Sequence, residues 1–148
     1  MSMADPRPMP ADSGEAAVAG RPHVSQVRVR YAETDQMGVA YYANYLVWFE
    51  VARTDWLRAA GLSYRDLEAD GLFLPVIEAQ CAYRTPARYD DELAVRATAR
   101  LVSPARLAFD YDITGPGGAV ATGSTVHALL DGRGRPVRVP ARIKDLIG

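Results

Sequence analysis

The hydrophobic pattern changes period twice along the chain, and those changes predict its elements. Val27, Val29 and Tyr31 alternate with Arg28 and Arg30, and a period of two predicts a strand. Residues 32–43 break the alternation. Polar and aromatic side chains bunch there around a single glycine, which predicts a loop. From 44 to 60 the sequence NYLVWFEVARTDWLRAA is too long for a strand, and Gly61 behind it suits the residue that stops a helix. Glu50, Arg53, Thr54 and Arg58 form one narrow polar stripe on an otherwise apolar surface with two tryptophans. Such a helix is expected to be buried rather than resting on a surface. Residues 63–70 predict a short second helix, with Ser63 as N-cap and Asp66 at the third helical position.

Four more segments alternate with period two, at 77–83, 93–101, 107–113 and about 119–130. Turn residues separate them: Pro86 within 85–91, Ser103-Pro104 within 102–105, and the run TGPGG at 114–118. Short connections predict antiparallel neighbours, so a four-strand meander is expected after the helix. The tail at 136–148 has room for a short edge strand and a final helical turn. The class is α+β. One helix cannot cover both faces of a five-stranded sheet, so the sheet is expected to wrap around the long helix. Its polar outer face then meets water, and its edge pairs with another subunit.

Composition narrows the reading. A chain of 148 residues is one domain, long enough to bury a core. Hydrophobic residues at 49% and charged residues at 24% describe a soluble globule. The first 22 residues hold four of the ten prolines and no periodicity, so 1–22 is expected to be a disordered tail and 23–148 the folded domain. A net charge of -1 offers no general attraction to nucleic acid or anionic lipid, so an anionic ligand needs a local basic cluster. The single cysteine, Cys81, permits neither an internal disulfide nor a cysteine-based zinc site, and is expected to be a buried inert thiol. No secretory leader pattern and no membrane-length apolar run is present, which makes the cytoplasm the expected location and membrane insertion unexpected. No metal constellation and no cofactor are expected.

The chemistry concentrates in residues 31–58. Asp35 stands in the glycine-containing loop, seven residues before Tyr42 at the predicted helix start. A helix start presents unpaired backbone N–H groups and a partial positive charge. Those groups can hold the oxygen of a polarised carbonyl. A carboxylate beside them can act as nucleophile or base. On spacing alone a solvated turn residue or helix cap is the commoner explanation of Asp35.

The stretch resembles the signature of the 4-hydroxybenzoyl-CoA thioesterase family of hot-dog proteins, including its short-chain acyl-CoA branch. The matching residues are Thr34-Asp35, Gly38-Val39, Tyr41-Tyr42, Asn44-Tyr45, and Glu50 with Ala52-Arg53-Thr54 on the helix. Tyr83-Arg84-Thr85-Pro86-Ala87 with Asp91-Glu92-Leu93, and Thr125-Val126-His127-Ala128 with Asp131, resemble later parts of the same pattern. The resemblance implies a hot-dog fold, a five-stranded antiparallel sheet wrapped around a long buried helix, and hydrolysis of an acyl-CoA thioester. It implies Asp35 as the catalytic carboxylate, attacking the thioester or activating water, and Tyr42 as donor of a backbone N–H to the carbonyl oxygen. Tyr42 stands where the acyl-CoA branch usually has His, which leans the substrate toward aromatic or bulkier acyl groups over short or medium chains. Tyr41, Asn44, Tyr45, Trp48 and Glu50 are implied substrate-side residues, with core packing the alternative for Trp48.

Glu33 is a rival base, and Glu50 a rival acid whose more economical reading is a salt bridge to Arg53. For the phosphates of coenzyme A, the family pattern points to basic residues at the hairpin between the third and fourth strands, supplied by a neighbouring subunit. Here that is Arg106, with Arg100, Arg84 and Arg88 as further candidates. The expected assembly is a homo-oligomer, a dimer or a dimer of dimers (a homotetramer). Only His23 and His127 are present, and no G-x-S-x-G elbow, so a serine hydrolase triad is not indicated. A hot-dog dehydratase or hydratase and a non-catalytic acyl-binding domain are the competing readings.

Overall fold

The computed structural model describes residues 21–147. The expectation of a disordered tail at 1–22 falls largely outside them. In chain order the elements are β1 (His23–Arg28), a 3-10 turn (Tyr31–Glu33), α1 (Asn44–Ala59), α2 (Tyr64–Ala69), β2 (Val76–Tyr83), β3 (Glu92–Ser103), β4 (Arg106–Gly115), β5 (Gly118–Ala128) and α3 (Ala141–Ile147). The five strands form one antiparallel sheet in the order β1-β3-β4-β5-β2, the hot-dog arrangement expected.

Local chemistry accounts for the element ends. Gly61 takes φ +87°, and Leu62 N–H returns to Leu57 O at 2.8 Å, which closes the C-terminus of α1. Ser63 Oγ accepts from Asp66 N–H at 3.0 Å and opens α2 as expected. The core lies between the inner side of α1 (Trp48, Phe49, Ala52, Trp56, Leu57) and inward residues of β3 and β4 (Leu93, Val95, Ala97, Phe109, Tyr111, Ile113).

Five expectations are corrected. The first strand was expected to run on through Tyr31. It ends at Arg28, and Tyr31 turns outward at 77% exposure because Glu33 folds back onto the backbone N–H of Arg30. The strands after the helix were expected to form a four-strand meander, but only β3, β4 and β5 do. β2 pairs with β5 at the far edge. The connection from β2 to β3 passes under the start of α1, where Ala87 is fully buried and its N–H donates to Tyr45 Oη at 3.1 Å.

The helix was expected to be buried with Arg53 on its polar stripe. Instead Arg53 points inward at 8% exposure, while Leu46, Val47 and Val51 are exposed. The expected Glu50–Arg53 salt bridge does not form. Arg53 donates to Tyr64 Oη at 3.0 Å and to Tyr111 Oη at 3.5 Å, and Glu50 is exposed without an ion pair among the described residues. The expected edge strand in the tail from Pro136 is reduced to a single bridge, Leu130 with Pro136, ahead of α3.

Candidate active site

The loop before α1 is a built structure. Thr34 pairs with Ala40 in an isolated antiparallel bridge, and Asp35 N–H donates to Val39 O at 2.9 Å, so 34–40 is a tight hairpin. Gly38 turns it at φ +80°, a conformation that suits glycine. Asp35 Oδ1 accepts from Met37 N–H at 2.8 Å and Val39 N–H at 3.4 Å. This is the local turn that short polar side chains make. It fixes the carboxylate through one oxygen. Oδ2 has no partner among the described residues, and Asp35 is exposed.

The hairpin leads straight into α1. Ala43 is the N-cap and supplies no side-chain acceptor. Asn44 N–H returns to Tyr41 O at 3.0 Å, whereas the N–H groups of Tyr42 and Ala43 have no acceptor among the described residues. A sixteen-residue helix therefore opens with two free amides and the positive end of its dipole. An oxygen that gains negative charge during reaction can be held there.

Tyrosines surround this point. Tyr41 and Tyr42 have ring centroids 4.7 Å apart, and Tyr83 meets Tyr45 edge-on at 4.8 Å. Tyr83 Oη donates to Tyr42 O at 3.1 Å. Burial and the neighbouring Cys81 push the Tyr83 phenol up to about 12, so it keeps the proton that this bond needs. Tyr41, Tyr42 and Tyr83 are 49%, 62% and 46% exposed, and Met37 is 80% exposed. These side chains form an open, largely apolar cluster where the Asp35 hairpin enters α1. Cys81 is half-buried rather than buried as expected, and burial pushes its thiol up as well, which favours the protonated form.

The other expected site residues divide. Asn44 sits at the helix start, but its side-chain amide donates to Glu33 O at 2.8 Å and so serves the loop. Tyr45 and Trp48 are 3% and 1% exposed, and both polar ends are used within the chain, on Ala87 and Glu33. They pack as core. Glu33 is buried, and both its carboxylate oxygens are engaged. Glu50 lies on the exposed side of α1. Arg88 bridges to Val39 through the backbone, beside the Asp35 hairpin. Arg100 is paired with Asp110 at 2.7 Å.

Arg106 opens β4 at the end of the sheet opposite Tyr83, as the registers of β4 and β2 on β5 require. Sequence reasoning missed what joins it there. Val139 N–H donates to Pro104 O at 2.7 Å, which draws the C-terminal segment onto the β3–β4 hairpin. Arg138 and Lys144 then line a cavity of about 190 Å³ with Leu101, Val102 and Pro104. The clustering of Arg133, Arg135, Arg138, Arg142 and Lys144 was the signal that could have found it. No group of three or more metal-ligating side chains occurs among the described residues. No helix there is long and apolar enough to cross a membrane.

Comparison with known proteins bears on the same elements. The family model described as the thioesterase-like superfamily matches residues 29–147. A putative acyl-CoA thioesterase of Bacillus subtilis, YneP, is 38% identical over 112 residues, covering 74% of this chain and 81% of its own length. A hypothetical protein of Thermus thermophilus, TT1821, superposes with a TM-score of 0.78 at 40% identity, covering 84% of this chain and 95% of its own. The DHNA-CoA thioesterase of Staphylococcus aureus superposes with a TM-score of 0.75 at 34% identity, covering 79% of this chain and 80% of its own.

Proposed function

The chain belongs to the thioesterase-like superfamily, and from that membership we propose that it hydrolyses acyl-CoA thioesters with Asp35 as the catalytic carboxylate. One observation carries the reading. Asp35 is held through one oxygen by Met37 and Val39, keeps the other free, and stands on a hairpin that runs into the unpaired amides of Tyr42 and Ala43.

Oδ2 attacks the thioester carbonyl directly, or takes a proton from a water that attacks it. The carbonyl π pair moves onto oxygen, where the Tyr42 and Ala43 N–H groups hold the charge. The C–S bond then breaks. A thiolate is a good leaving group, so no protonating side chain is required at that step. It acquires its proton from solvent. In the direct route water cleaves the resulting anhydride and regenerates the carboxylate.

The acyl group rests against Tyr41, Tyr42 and Tyr83, flat polarisable surfaces that favour aromatic or bulky acyl groups. The dehydratase reading needs a histidine at the site. His127 is instead fully buried and bonded to Thr125 and Leu74, which favours hydrolysis.

The site works between two copies. β2 is exposed along nearly its whole length, and Leu46, Val47 and Val51 of α1 are exposed beside it, an open edge with an apolar flank. A two-fold axis that joins two β2 edges runs them antiparallel. The partner's β3–β4 hairpin then comes to the Tyr83 end. Its Arg106, Arg138 and Lys144 would meet the phosphates of a coenzyme A whose thioester lies at Asp35. The test is thiol release from a panel of acyl-CoA thioesters, with hydration of an enoyl-CoA measured beside it. Release with one acyl class is expected. Hydration without release would overturn the reading.

A further inference from the structure

We propose that Glu33 is a positioning residue, which ties the hairpin bearing Asp35 to the opening of α1 and so sets the distance between carboxylate and helix amides. The inference rests on the thioesterase reading above. A buried carboxylate is costly unless its oxygens are all paired. Glu33 is 6% exposed and meets that demand in full. Oε1 accepts from Arg30 N–H at 2.8 Å, and Oε2 accepts from the Trp48 indole at 3.2 Å and from the Arg30 guanidinium at 3.4 Å. Its backbone carbonyl accepts from Tyr41 N–H and from the Asn44 side-chain amide, both at 2.8 Å.

These bonds bracket the reactive amides. Tyr41 and Asn44 flank Tyr42 and Ala43, and Trp48 stands one turn further into α1. Trp48 is 1% exposed and cannot shift without opening the core. Glu33 thus references the loop to the core on one side, and Asp35 follows two residues later on the other. With both carboxylate oxygens engaged, Glu33 is not available to substrate. Its effect falls on the geometry of attack, where a displacement of about 1 Å costs roughly 100-fold in rate.

The test is steady-state hydrolysis of the best acyl-CoA by Glu33→Gln and Asn44→Ala. Gln keeps the shape but sets an N–H₂ against an N–H donor whichever way it turns. Asn44→Ala removes one tether at a half-buried position, so it keeps the test open if Glu33→Gln does not fold. Both should lose roughly 10- to 100-fold in kcat with KM nearly unchanged. Trp48→Phe combined with Glu33→Gln should be no worse than the poorer single variant, because both cut one link. Ser25→Ala is the structural control. It removes the 2.7 Å bond to Asp55 near the far end of α1, and should lower the melting temperature while kcat holds. Wild-type kcat in folded Glu33→Gln and Asn44→Ala overturns the tether, as does an equal kcat loss in Ser25→Ala. A wild-type chain that releases no thiol overturns the thioesterase reading itself.

Discussion

Phe49 lies flat on Tyr111, with ring centroids 4.2 Å apart and planes 6° from parallel. Gly123 makes room for the pair. It stands between Tyr111 on β4 and Cys81 on β2 in the sheet, facing α1. A Cβ at that position would come 2.5 Å from the Phe49 ring and from Gln80 O. Neither can yield cheaply, since one is locked in a stack and the other is backbone. Gly123→Ala is therefore expected to destabilise the fold by about 1–3 kcal/mol, an overpacking cost. Replacing glycine by alanine in unstrained surroundings has the opposite sign. The midpoint of urea unfolding decides, and an unchanged or raised midpoint contradicts this packing.

Asp35→Asn should separate chemistry from folding. Asn retains a carbonyl oxygen able to accept from Met37 N–H, so the turn and the thermal midpoint should persist. The amide is neither a nucleophile nor a base, and turnover should fall roughly 10²–10⁴-fold. Glu50→Gln, on the exposed side of α1, should keep turnover close to wild type. If the two variants exchange behaviour, the carboxylate has been assigned to the wrong element.

Much of this architecture was legible in the chain because the determinants are local. The period-two runs placed β3, β4 and β5, Ser63 and Gly61 placed two helix ends, and the polar loop placed Asp35 ahead of an apolar helix. What was not legible depends on partners distant in sequence. Nothing in residues 76–83 says that they pair with β5 rather than β3. The pairing goes with a β2–β3 connection that passes under the helix start, where Ala87 N–H donates to Tyr45 Oη, a contact between residues 42 apart in sequence. Arg53 reads as one more residue of a polar stripe until Tyr64 and Tyr111 supply acceptors inside the core. Asn44 reads as a pocket residue and Trp48 as pocket or core, and nothing in the sequence says that both side-chain donors go to Glu33.

His127 couples stability to pH. It is fully buried, and burial lowers its imidazole to about 4. Leu74 O can only accept, so Nδ1 carries the proton, and Nε2 accepts from Thr125. The donors then run one way, from Arg53 through Tyr111 and Thr125 to His127. The unfolded chain takes up a proton near pH 6.5 and the folded chain only near pH 4. Stability is thus fully present above pH 6.5 and is lost as pH falls from 6.5 toward 4, by on the order of a few kcal/mol. His127→Gln should be less stable at pH 7 yet show a flatter dependence across that window. Parallel urea curves for both proteins over pH 4–7 would contradict the assignment.

The open β2 edge predicts association. Ile77 is 42% exposed on it, and Ile77→Lys places a charge where a second copy would pair. Sedimentation should show a dimer or larger assembly for the wild type and a shift toward monomer for the variant. Turnover should fall in parallel at low protein concentration. A wild-type chain that is monomeric and fully active would mean that the site needs no partner.

The cations at the β3–β4 hairpin predict a split between substrate binding and chemistry. Arg138 and Lys144 carry no ion pair among the described residues and overhang a cavity of about 190 Å³. That is smaller than the roughly 300–1,000 Å³ of pockets that enclose a whole drug-sized ligand, so it suits one end of a long substrate. Replacing both by Ala should raise KM for acyl-CoA about tenfold and leave kcat in place, the mark of binding lost equally from ground and transition states. Added salt should raise the wild-type KM more steeply than the variant's, because screening acts on the charges removed. The same acyl group on N-acetylcysteamine, which lacks the nucleotide, should be hydrolysed alike by both proteins. If KM rises equally for the truncated thioester, the two cations support the acyl pocket or the assembly rather than the phosphates.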